Sequence, residues 1–188
     1  LKYLLLNMSN IMKTVIILNG PPGSGKDTIA NILRDKYGAT KQEFKDSLYE
    51  ETAKYFEADL NYFRYVASSR KYKDNLISAF SCSKNSKGKG YTPREALIHV
   101  SEVICKPKYG ADYFGVLAAN KLADGLSIFS DGGGWAEELM PVAKAVDKVI
   151  ICRLIRDGFT FEGDSRKYYE DSITDVSNIE VHDFVLSE

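Results

Sequence analysis

Short apolar blocks alternate along the chain with stretches in which apolar residues recur at helical spacing. The clearest blocks are Thr14–Asn19, which is rich in β-branched residues, and residues 126–130 and 147–154. Such blocks are typical of buried parallel strands, although periodicity alone does not separate one of this length from a buried helix. Residues 39–44 and 182–186 predict two further strands. Because helical stretches separate the blocks, we expect an α/β fold with a central parallel sheet, helices on both faces and ligands at the carboxyl ends of the strands.

The helical stretches have recognisable ends. A helix after the first strand ends at Gly38, a C-cap glycine, and residues 45–66 predict two helices that break near Asp59. Residues 136–146 also show helical spacing, but they contain Pro141. Since proline cannot donate a backbone hydrogen bond, it must either kink this helix or start a new one.

A further helix is predicted to begin after Thr92. Pro93 occupies the first helical position, and Glu95 completes a capping box with the threonine. Residues 111–124 predict another helix, bracketed by glycines. The apolar spacing of the helix that starts at Pro93 predicts one buried face made of Ala96, Leu97, Val100, Val103 and Ile104.

A glycine-rich loop, GPPGSGKDT, follows the first strand and leads through Lys26 into the first helix. Glycine permits positive φ and close approach of a ligand, and the lysine has the spacing of a phosphate-binding loop. Backbone N–H groups and the positive end of the helix attract an anion there, and the lysine can reach the outer phosphates of a nucleoside triphosphate. The alternative is a Gly-Pro turn with an incidental lysine. The predicted nucleotide-binding residues are Gly23, Ser24, Gly25, Lys26, Asp27 and Thr28.

The loop departs from its usual form directly after the lysine. Ser or Thr ordinarily stands there and holds Mg²⁺, whereas this chain has Asp27, with Thr28 one position later. Asp131 follows the strand 126–130, where an acid associated with Mg²⁺ is expected. The alternative is a turn aspartate that opens the glycine run of residues 132–134. We therefore predict that Thr28 and Asp131 lie at the metal.

Residues 153–167 follow the last clear strand and are rich in arginine, glycine and acid, with little apolar periodicity. Arg153, Arg156 and Arg166 suit a lid that clamps a transferring phosphoryl group. The alternative is a solvated surface loop in which the arginines pair with nearby acids. These acids are Asp157, Glu162 and Asp164.

Two stretches of the chain are expected to lie outside the packed core. Residues 67–92 are rich in serine, lysine and glycine, which predicts a mobile loop over about residues 81–92. That loop is either a plain solvated linker or a basic segment that closes over phosphates. Residues 1–11 are expected to be an N-terminal extension, with Met12 or, less favoured, Met8 as the natural start.

Composition favours a single domain over residues 12–188 and excludes several classes of protein. The chain has 188 residues, of which 44% are hydrophobic, enough for one substantial core. Its net charge of −1 provides no basic field for a nucleic acid polymer. The apolar run of residues 4–6 is too short for a signal-peptide core or a membrane span. The three cysteines lie far apart in sequence, which fits a reduced cytoplasmic compartment.

From Met12 onward, the order of these parts resembles that of the bacteriophage deoxynucleoside monophosphate kinases. The loop is similar to the GPPGxGKGT loop of adenylate kinases and, more closely, to the GKDT loop of the phage enzymes. Pattern-level similarity extends to FKDSL, PREALIHVSEVI, GADYFGVLAANKL, WAEEL and VIICRLIRDG. The resemblance implies a three-layer P-loop NTPase-type fold with a lid segment over about residues 153–167.

The resemblance also implies an activity, which is transfer of the γ-phosphoryl group of ATP, with Mg²⁺, to a deoxynucleoside 5′-monophosphate. Lys26 and the loop amides would hold the ATP phosphates, and Asp131 would lie near Mg²⁺. Lys45 and Arg94 would grip the acceptor phosphate. No catalytic base is required, because the acceptor phosphate is already anionic. The residues implied to stabilise the transferring group are Arg153 or Arg156.

Other functions on the same scaffold stay open. Family members tend to carry an arginine shortly after the strand-end aspartate, where this chain has the glycines of residues 132–134. A kinase of another small metabolite is one alternative, since a fold and a donor site do not determine the acceptor. A nucleotide-binding protein without transferase activity is another. The expected partners are small-molecule nucleotides in the cytoplasm, of a host cell if the gene belongs to a phage, and the possibility of a homodimer is left open.

Overall fold

Five parallel strands form a single sheet. The computed structural model describes residues 12–77 and 88–186. The strands lie in the order β2-β3-β1-β4-β5, and every neighbouring pair is parallel. The predicted α/β fold with a central parallel sheet flanked by helices is confirmed. The strands are β1 (Thr14–Asn19), β2 (Thr40–Gln42), β3 (Leu126–Gly132), β4 (Lys148–Arg156) and β5 (Ile179–Leu186).

Helices make up most of the connections between the strands. A π-helical segment, His99–Cys105, follows the fourth helix, and a 3₁₀ helix, Asp171–Asp175, precedes β5. The α-helices are α1 (Lys26–Tyr37), α2 (Lys45–Tyr55), α3 (Leu60–Ser68), α4 (Pro93–Ile98), α5 (Lys106–Tyr109), α6 (Tyr113–Asn120) and α7 (Ala136–Lys144).

The two faces of the sheet are packed by different helices. Side chains alternate along β1, so Val15 and Ile17 join one apolar cluster, while Ile16 and Leu18 join another. Helix α1 contributes to the cluster of Ile16 and Leu18, and α6 and α7 contribute to the other. All of β1 is buried, as expected for a central strand covered on both faces. Leu33 of α1 is buried in this way, with only 1% of its surface exposed.

The connections after β1 and β3 leave the sheet towards opposite faces. These strands are hydrogen-bonded neighbours, yet β1 leads into α1 and β3 leads into α7. Such a divergence opens a crevice at the carboxyl ends of the strands, which is where parallel α/β sheets bind ligands. Asn19 and Gly132 face each other at that edge. The fold therefore places the glycine-rich loop after β1 beside the glycine run after β3.

The chain divides into two compact units. One contains the sheet and is built from the residues up to Phe44 together with those from Gly115 onward. The other is helical and spans Lys45–Phe114. The expectation of a single domain over residues 12–188 remains a prediction.

Within the helical unit, most of the predicted helix ends are confirmed. Asp59 caps α3 by accepting a hydrogen bond from the backbone N–H of Tyr62 at 2.8 Å. The capping box before α4 is formed in both directions, between Thr92 and Glu95. Tyr49 of α2 packs edge-to-face on Phe63 of α3, with ring centroids 6.0 Å apart. Local capping and aromatic packing thus both contribute to this unit.

The predicted buried face beyond Pro93 is wrong at Val103, whose surface is 58% exposed. The prediction assumed 3.6 residues per turn, whereas His99–Cys105 is π-helical and its turns are wider. The wider turn carries Val103 to the surface and brings in Ser101 and Cys105, which are buried. Ala96 and Val100 are buried as predicted.

Other predicted elements differ in extent. The second strand covers only Thr40–Gln42, and the helix expected over residues 111–124 covers Tyr113–Asn120. Pro141 lies inside α7 and does not start a new helix. Leu139, Val142 and Ala143 are buried around it, so packing against the sheet outweighs the lost hydrogen bond.

Some expectations fall on parts of the chain that lie outside the described residues. These are the extension of residues 1–11 and residues 81–87 of the expected mobile loop.

Cys105 and Cys152 are free thiols, and both are buried. Across residues 12–77 and 88–186, no helix is both long and apolar enough to cross a membrane.

Candidate functional site

The glycine loop, residues 20–25, connects β1 to α1 at the carboxyl edge of the sheet. Its last residue, Gly25, is the N-cap of α1 and has φ of 96°, in the left-handed region that glycine adopts at little cost. As a glycine, this N-cap residue has no side chain with which to cap the helix. The first N–H groups of an α-helix have no partner within the helix, and the helix dipole makes this end positive. This end of α1 therefore suits an anion.

Lys26 is folded against the glycine loop. Its Nζ donates hydrogen bonds to the carbonyl oxygens of Gly20 at 2.6 Å and Pro21 at 2.8 Å, and only 8% of the residue is exposed. The pKa of Lys26 is lowered from 10.5 to about 8, chiefly by burial and then by the positive charge of Arg166. A desolvated ammonium beside a second cation is stabilised by a bound anion.

Residues 164–169, which we call the return segment, lie against the carboxyl edge of the sheet. Asn19, at the end of β1, makes three hydrogen bonds that hold the segment and the end of β3 together. Its Nδ2 donates to the carbonyl oxygens of Gly132 at 3.0 Å and Lys167 at 2.9 Å, and its Oδ1 accepts from the N–H of Tyr169 at 3.0 Å. Asn19 is fully buried. One side chain thus connects the ends of two strands to the return segment.

The glycine run after β3 makes room for the return segment. Gly134 has φ of 82°, and a Cβ atom there would overlap the carbonyl oxygen of Lys167. The N–H of Lys167 donates to the carbonyl oxygen of Gly133 at 3.1 Å. Tyr169, which follows, is buried in the apolar cluster on this face. The run of glycines therefore has a packing role, because any side chain at residue 134 would displace the segment.

Arg166 and Asp164 form a two-point ion pair within the return segment. Nε of Arg166 donates to Oδ1 of Asp164 at 2.8 Å, and its Nη2 donates to Oδ2 at 2.6 Å. The backbone N–H of Arg166 also donates to Oδ1, at 3.0 Å. These bonds lower the pKa of Asp164 to about 2. This is the pairing that a solvated loop would make, but the two side chains are only 27% and 20% exposed, so the pair is partly buried.

Asp131 is the penultimate residue of β3 and lies close to both cations. Its negative charge raises the pKa of Lys26 and of Arg166. Its Oδ1 accepts a hydrogen bond from the backbone N–H of Phe44 at 2.9 Å. Next to it, the hydroxyl of Ser130 donates to the carboxylate of Glu43 at 3.1 Å. Lys26, Arg166 and Asp131 therefore form one electrostatic group at the carboxyl edge.

The predicted metal residues are partly suited to Mg²⁺. Asp131 supplies a carboxylate, whereas Thr28 is exposed in the first turn of α1. Asp27 is paired with Lys41 at 2.9 Å. No three His, Cys, Asp or Glu side chains cluster as metal ligands within the described ranges. Since Mg²⁺ commonly takes one or two protein ligands together with phosphate oxygens and water, this donor set fits Mg²⁺ only alongside a phosphate ligand.

The two arginines predicted as catalytic lie at different places. Arg156, at the end of β4, donates to the carbonyl oxygen of Gly23 in the glycine loop at 3.3 Å and stacks on Phe159 at 4.8 Å. Arg153 lies within β4, where its guanidinium binds the carboxylates of Asp183 and Asp171. Arg156 thus contacts the glycine loop, and Arg153 links β4 to its neighbours. A phosphoryl contact for either remains a prediction.

The two residues predicted for the acceptor phosphate both belong to the helical unit. Lys45 is the first residue of α2, and Arg94 is in the first turn of α4. Nε of Arg94 donates to Asp74 at 2.6 Å, and both side chains are more than half exposed. Their role as acceptor ligands remains a prediction.

Two residues at this edge, Asn19 and Arg166, have no individual role assigned from the sequence. Asn19 is the polar end of an otherwise apolar strand, a signal that was present in the pattern. Arg166 was one of three arginines in the predicted lid, and nothing local distinguished it from Arg153. Its proximity to Lys26 follows from the hydrogen bonds of Asn19 to the return segment.

A comparison with protein-family models finds no family that matches the chain, and a comparison with curated proteins finds no significant match. The resemblance noted from the sequence therefore rests on the quoted motifs.

Replacement of Asn19 by Ala is expected to destabilise the protein by about 3 kcal/mol, because it leaves two carbonyl oxygens and one N–H without their buried partner. Urea unfolding measures this free energy. Asn120, which is exposed at the end of α6, is the matched control, and its replacement by Ala should change the stability by less than about 0.5 kcal/mol. Equal effects of the two substitutions would contradict the role of Asn19.

The lowered pKa of Lys26 predicts a change of stability with pH. Because the folded lysine has a pKa of about 8 instead of 10.5, the unfolded chain binds more protons between these values, and stability rises with pH. Relative to Lys26→Met, the wild-type protein should gain about 2 kcal/mol between about pH 7.5 and about pH 10. Urea unfolding at both pH values measures the difference. A constant difference would show that Lys26 titrates normally.

Proposed function

We propose that the protein is a Mg²⁺-dependent P-loop kinase that transfers the γ-phosphoryl group of ATP to a deoxynucleoside 5′-monophosphate, giving ADP and the diphosphate. The observation that carries the proposal is the buried ammonium of Lys26, folded on the glycine loop beside the guanidinium of Arg166. The acceptor class rests on the resemblance to the phage enzymes in the motifs quoted above.

The donor site follows from the glycine loop. In this proposal, the backbone N–H groups of residues 23–28 surround the β- and γ-phosphates, with the positive end of α1 behind them. Lys26 keeps its hydrogen bonds to the loop carbonyls and adds a charge to the outer phosphates. Bound phosphate would restore to Lys26 the charge stabilisation that burial removes. The arrangement suits a polyphosphate, which spans the loop and the lysine together.

Arg166 supplies a second positive charge to the same phosphates. A guanidinium has five N–H donors, and Asp164 takes two of them, so three remain for phosphate oxygens. Phosphoryl transfer spreads negative charge over the equatorial oxygens of the transferring group, and fixed cations stabilise that charge. Arg156, which already contacts the glycine loop, is the second arginine proposed for this role.

Asp131, with the hydroxyl of Thr28, is proposed to hold Mg²⁺ together with phosphate oxygens. When bound, the ion neutralises phosphate charge and orients the terminal phosphate. Asp131 is kept in place by the N–H of Phe44. Lys45 and Arg94 of the helical unit are proposed to bind the acceptor phosphate.

In this reaction, the protein mainly positions the two substrates and stabilises the charge of the transferring group. The acceptor phosphate is anionic and needs no general base, so the rate depends on alignment and on the fixed charges around the transferring group. The glycine loop and the return segment provide such charges without reorganisation, because both are tied to β1. A kinase of another small metabolite and a nucleotide-binding protein without transfer are the alternatives that an assay must separate.

ADP release from Mg²⁺-ATP should be measured against a panel of deoxyribonucleoside and ribonucleoside monophosphates. We expect turnover with a few deoxynucleotides, and a loss of about a hundredfold or more in Lys26→Ala, because the principal cation at the phosphates is removed. Lys148→Ala is the matched control. It removes the same charge at the start of β4, on the opposite edge of the sheet, and should leave turnover unchanged.

The outcomes separate the alternatives. Turnover that survives in Lys26→Ala would contradict the assigned donor site. ATP binding without turnover on any monophosphate would favour another acceptor or a binding protein. Absence of ATP binding would overturn the proposal as a whole.

A further inference from the structure

Asp164 is a carboxylate placed beside a site that is proposed to bind a polyanion. By charge alone it should weaken the binding of phosphate, since it adds negative charge near Lys26 and Arg166. Its geometry indicates a different role. It is bound to Arg166 at three points, through two guanidinium nitrogens and the backbone N–H.

The pair has little freedom to take another arrangement. The backbone that carries it is anchored one residue later, where Lys167 bonds to Asn19 and to Gly133. Asp164 itself accepts from Arg166 with both of its oxygens, which is the geometry that best fixes the plane of a guanidinium. Arginine side chains otherwise lose considerable rotamer entropy on binding a ligand.

We propose that Asp164 is the positioning residue for Arg166, which it orients so that the free N–H donors of the guanidinium are held ready for the phosphates bound at the glycine loop. This inference rests on the proposed function, because it assumes that phosphates bind there. Asp164 would then strengthen the binding of an anion although its own charge is negative. The carboxylate strengthens anion binding because an oriented cation binds with less loss of entropy than a mobile one.

Asp164→Asn tests directly whether Asp164 strengthens or weakens phosphate binding. The amide removes the negative charge and one of the two strong acceptors while keeping the size of the side chain. Positioning predicts that Mg²⁺-ATP and inorganic tripolyphosphate bind about tenfold more weakly, as measured by calorimetric titration. Simple electrostatics predicts tighter binding. Unchanged or tighter binding of both probes would overturn the inference.

Glu170→Gln is the matched control for loss of charge. Glu170 stands just beyond the return segment, is paired with Lys167 at 2.7 Å and is 69% exposed. Removal of its charge should leave binding unchanged or slightly tighter. Asp164→Glu, which keeps both carboxylate oxygens, should recover part of the affinity that Asp164→Asn loses. Failure of this rescue, with both variants folded by thermal unfolding, would contradict positioning by a carboxylate.

Arg166→Gln shows whether Asp164 acts through the arginine. In that background, Asp164→Asn should have no further weakening effect, because there is no guanidinium to orient. An equal loss in both backgrounds would show that Asp164 acts elsewhere. Arg166→Lys provides a second test, since it keeps the charge but cannot form the two-point pair, and positioning predicts a loss similar to that of Asp164→Asn.

The two proposals fail in different ways. If the wild-type protein binds neither tripolyphosphate nor Mg²⁺-ATP, the proposed function is wrong and the inference is overturned with it. If the wild-type protein binds both probes and Asp164→Asn binds them equally well, only the inference is overturned. Turnover assays provide a separate test of the inference. If Asp164 positions Arg166, Asp164→Asn should lower kcat without changing the KM of the acceptor.

Discussion

The arrangement at the carboxyl edge of the sheet depends on the hydrogen bonds of one buried side chain, Asn19. An amide has both donors and an acceptor, so it can satisfy two carbonyl oxygens and one N–H, from the end of β3 and from the return segment, that would otherwise lack partners. Because the residue also ends β1, it ties the return segment to the strand that carries the glycine loop. The relative position of Lys26 and Arg166 is a consequence of that connection.

The electrostatic balance of the edge follows from this constraint. Burial of Lys26 and its proximity to Arg166 both cost free energy, and burial is the larger cause of the lowered pKa of Lys26. Asp131 and Asp164 offset part of that cost, and each is fixed by a backbone N–H. The site thus combines fixed cations, the positive N-terminal end of α1 and two restrained carboxylates. Such a preorganised set of groups is suited to stabilising the negative charge of a bound ligand.

The parts that the sequence predicted well are those that depend on neighbouring residues. The bounds of β1, the cap at Gly38 and the capping box after Thr92 follow from local patterns. The exposure of Val103 could not be predicted in this way, because a π-helical turn changes the period without leaving a clear local signal.

The composition of the candidate site was predicted only in part, for a related reason. Lys26 ends the loop that follows β1, and Asp131 lies near the end of β3, so the strand pattern was enough to predict their positions. Which arginine of the predicted lid approaches Lys26 depends on how that segment folds back, and this is decided by Asn19 and by the lack of a side chain at Gly134. The Asn19–Lys167 contact joins residues more than a hundred positions apart, and the Gly134–Lys167 contact joins residues about thirty positions apart. A short-range sequence pattern cannot predict such contacts.

We propose that the glycine loop and the return segment form one anion site. Titration of the isotope-labelled protein with inorganic tripolyphosphate, followed by NMR, tests it most directly. We expect the backbone amides of residues 23–28 and the side-chain Nη–H groups of Arg166 to shift together along one saturation curve. Shifts of the loop amides without Arg166 would contradict the shared site, and the absence of shifts in both would contradict an anion site at this edge.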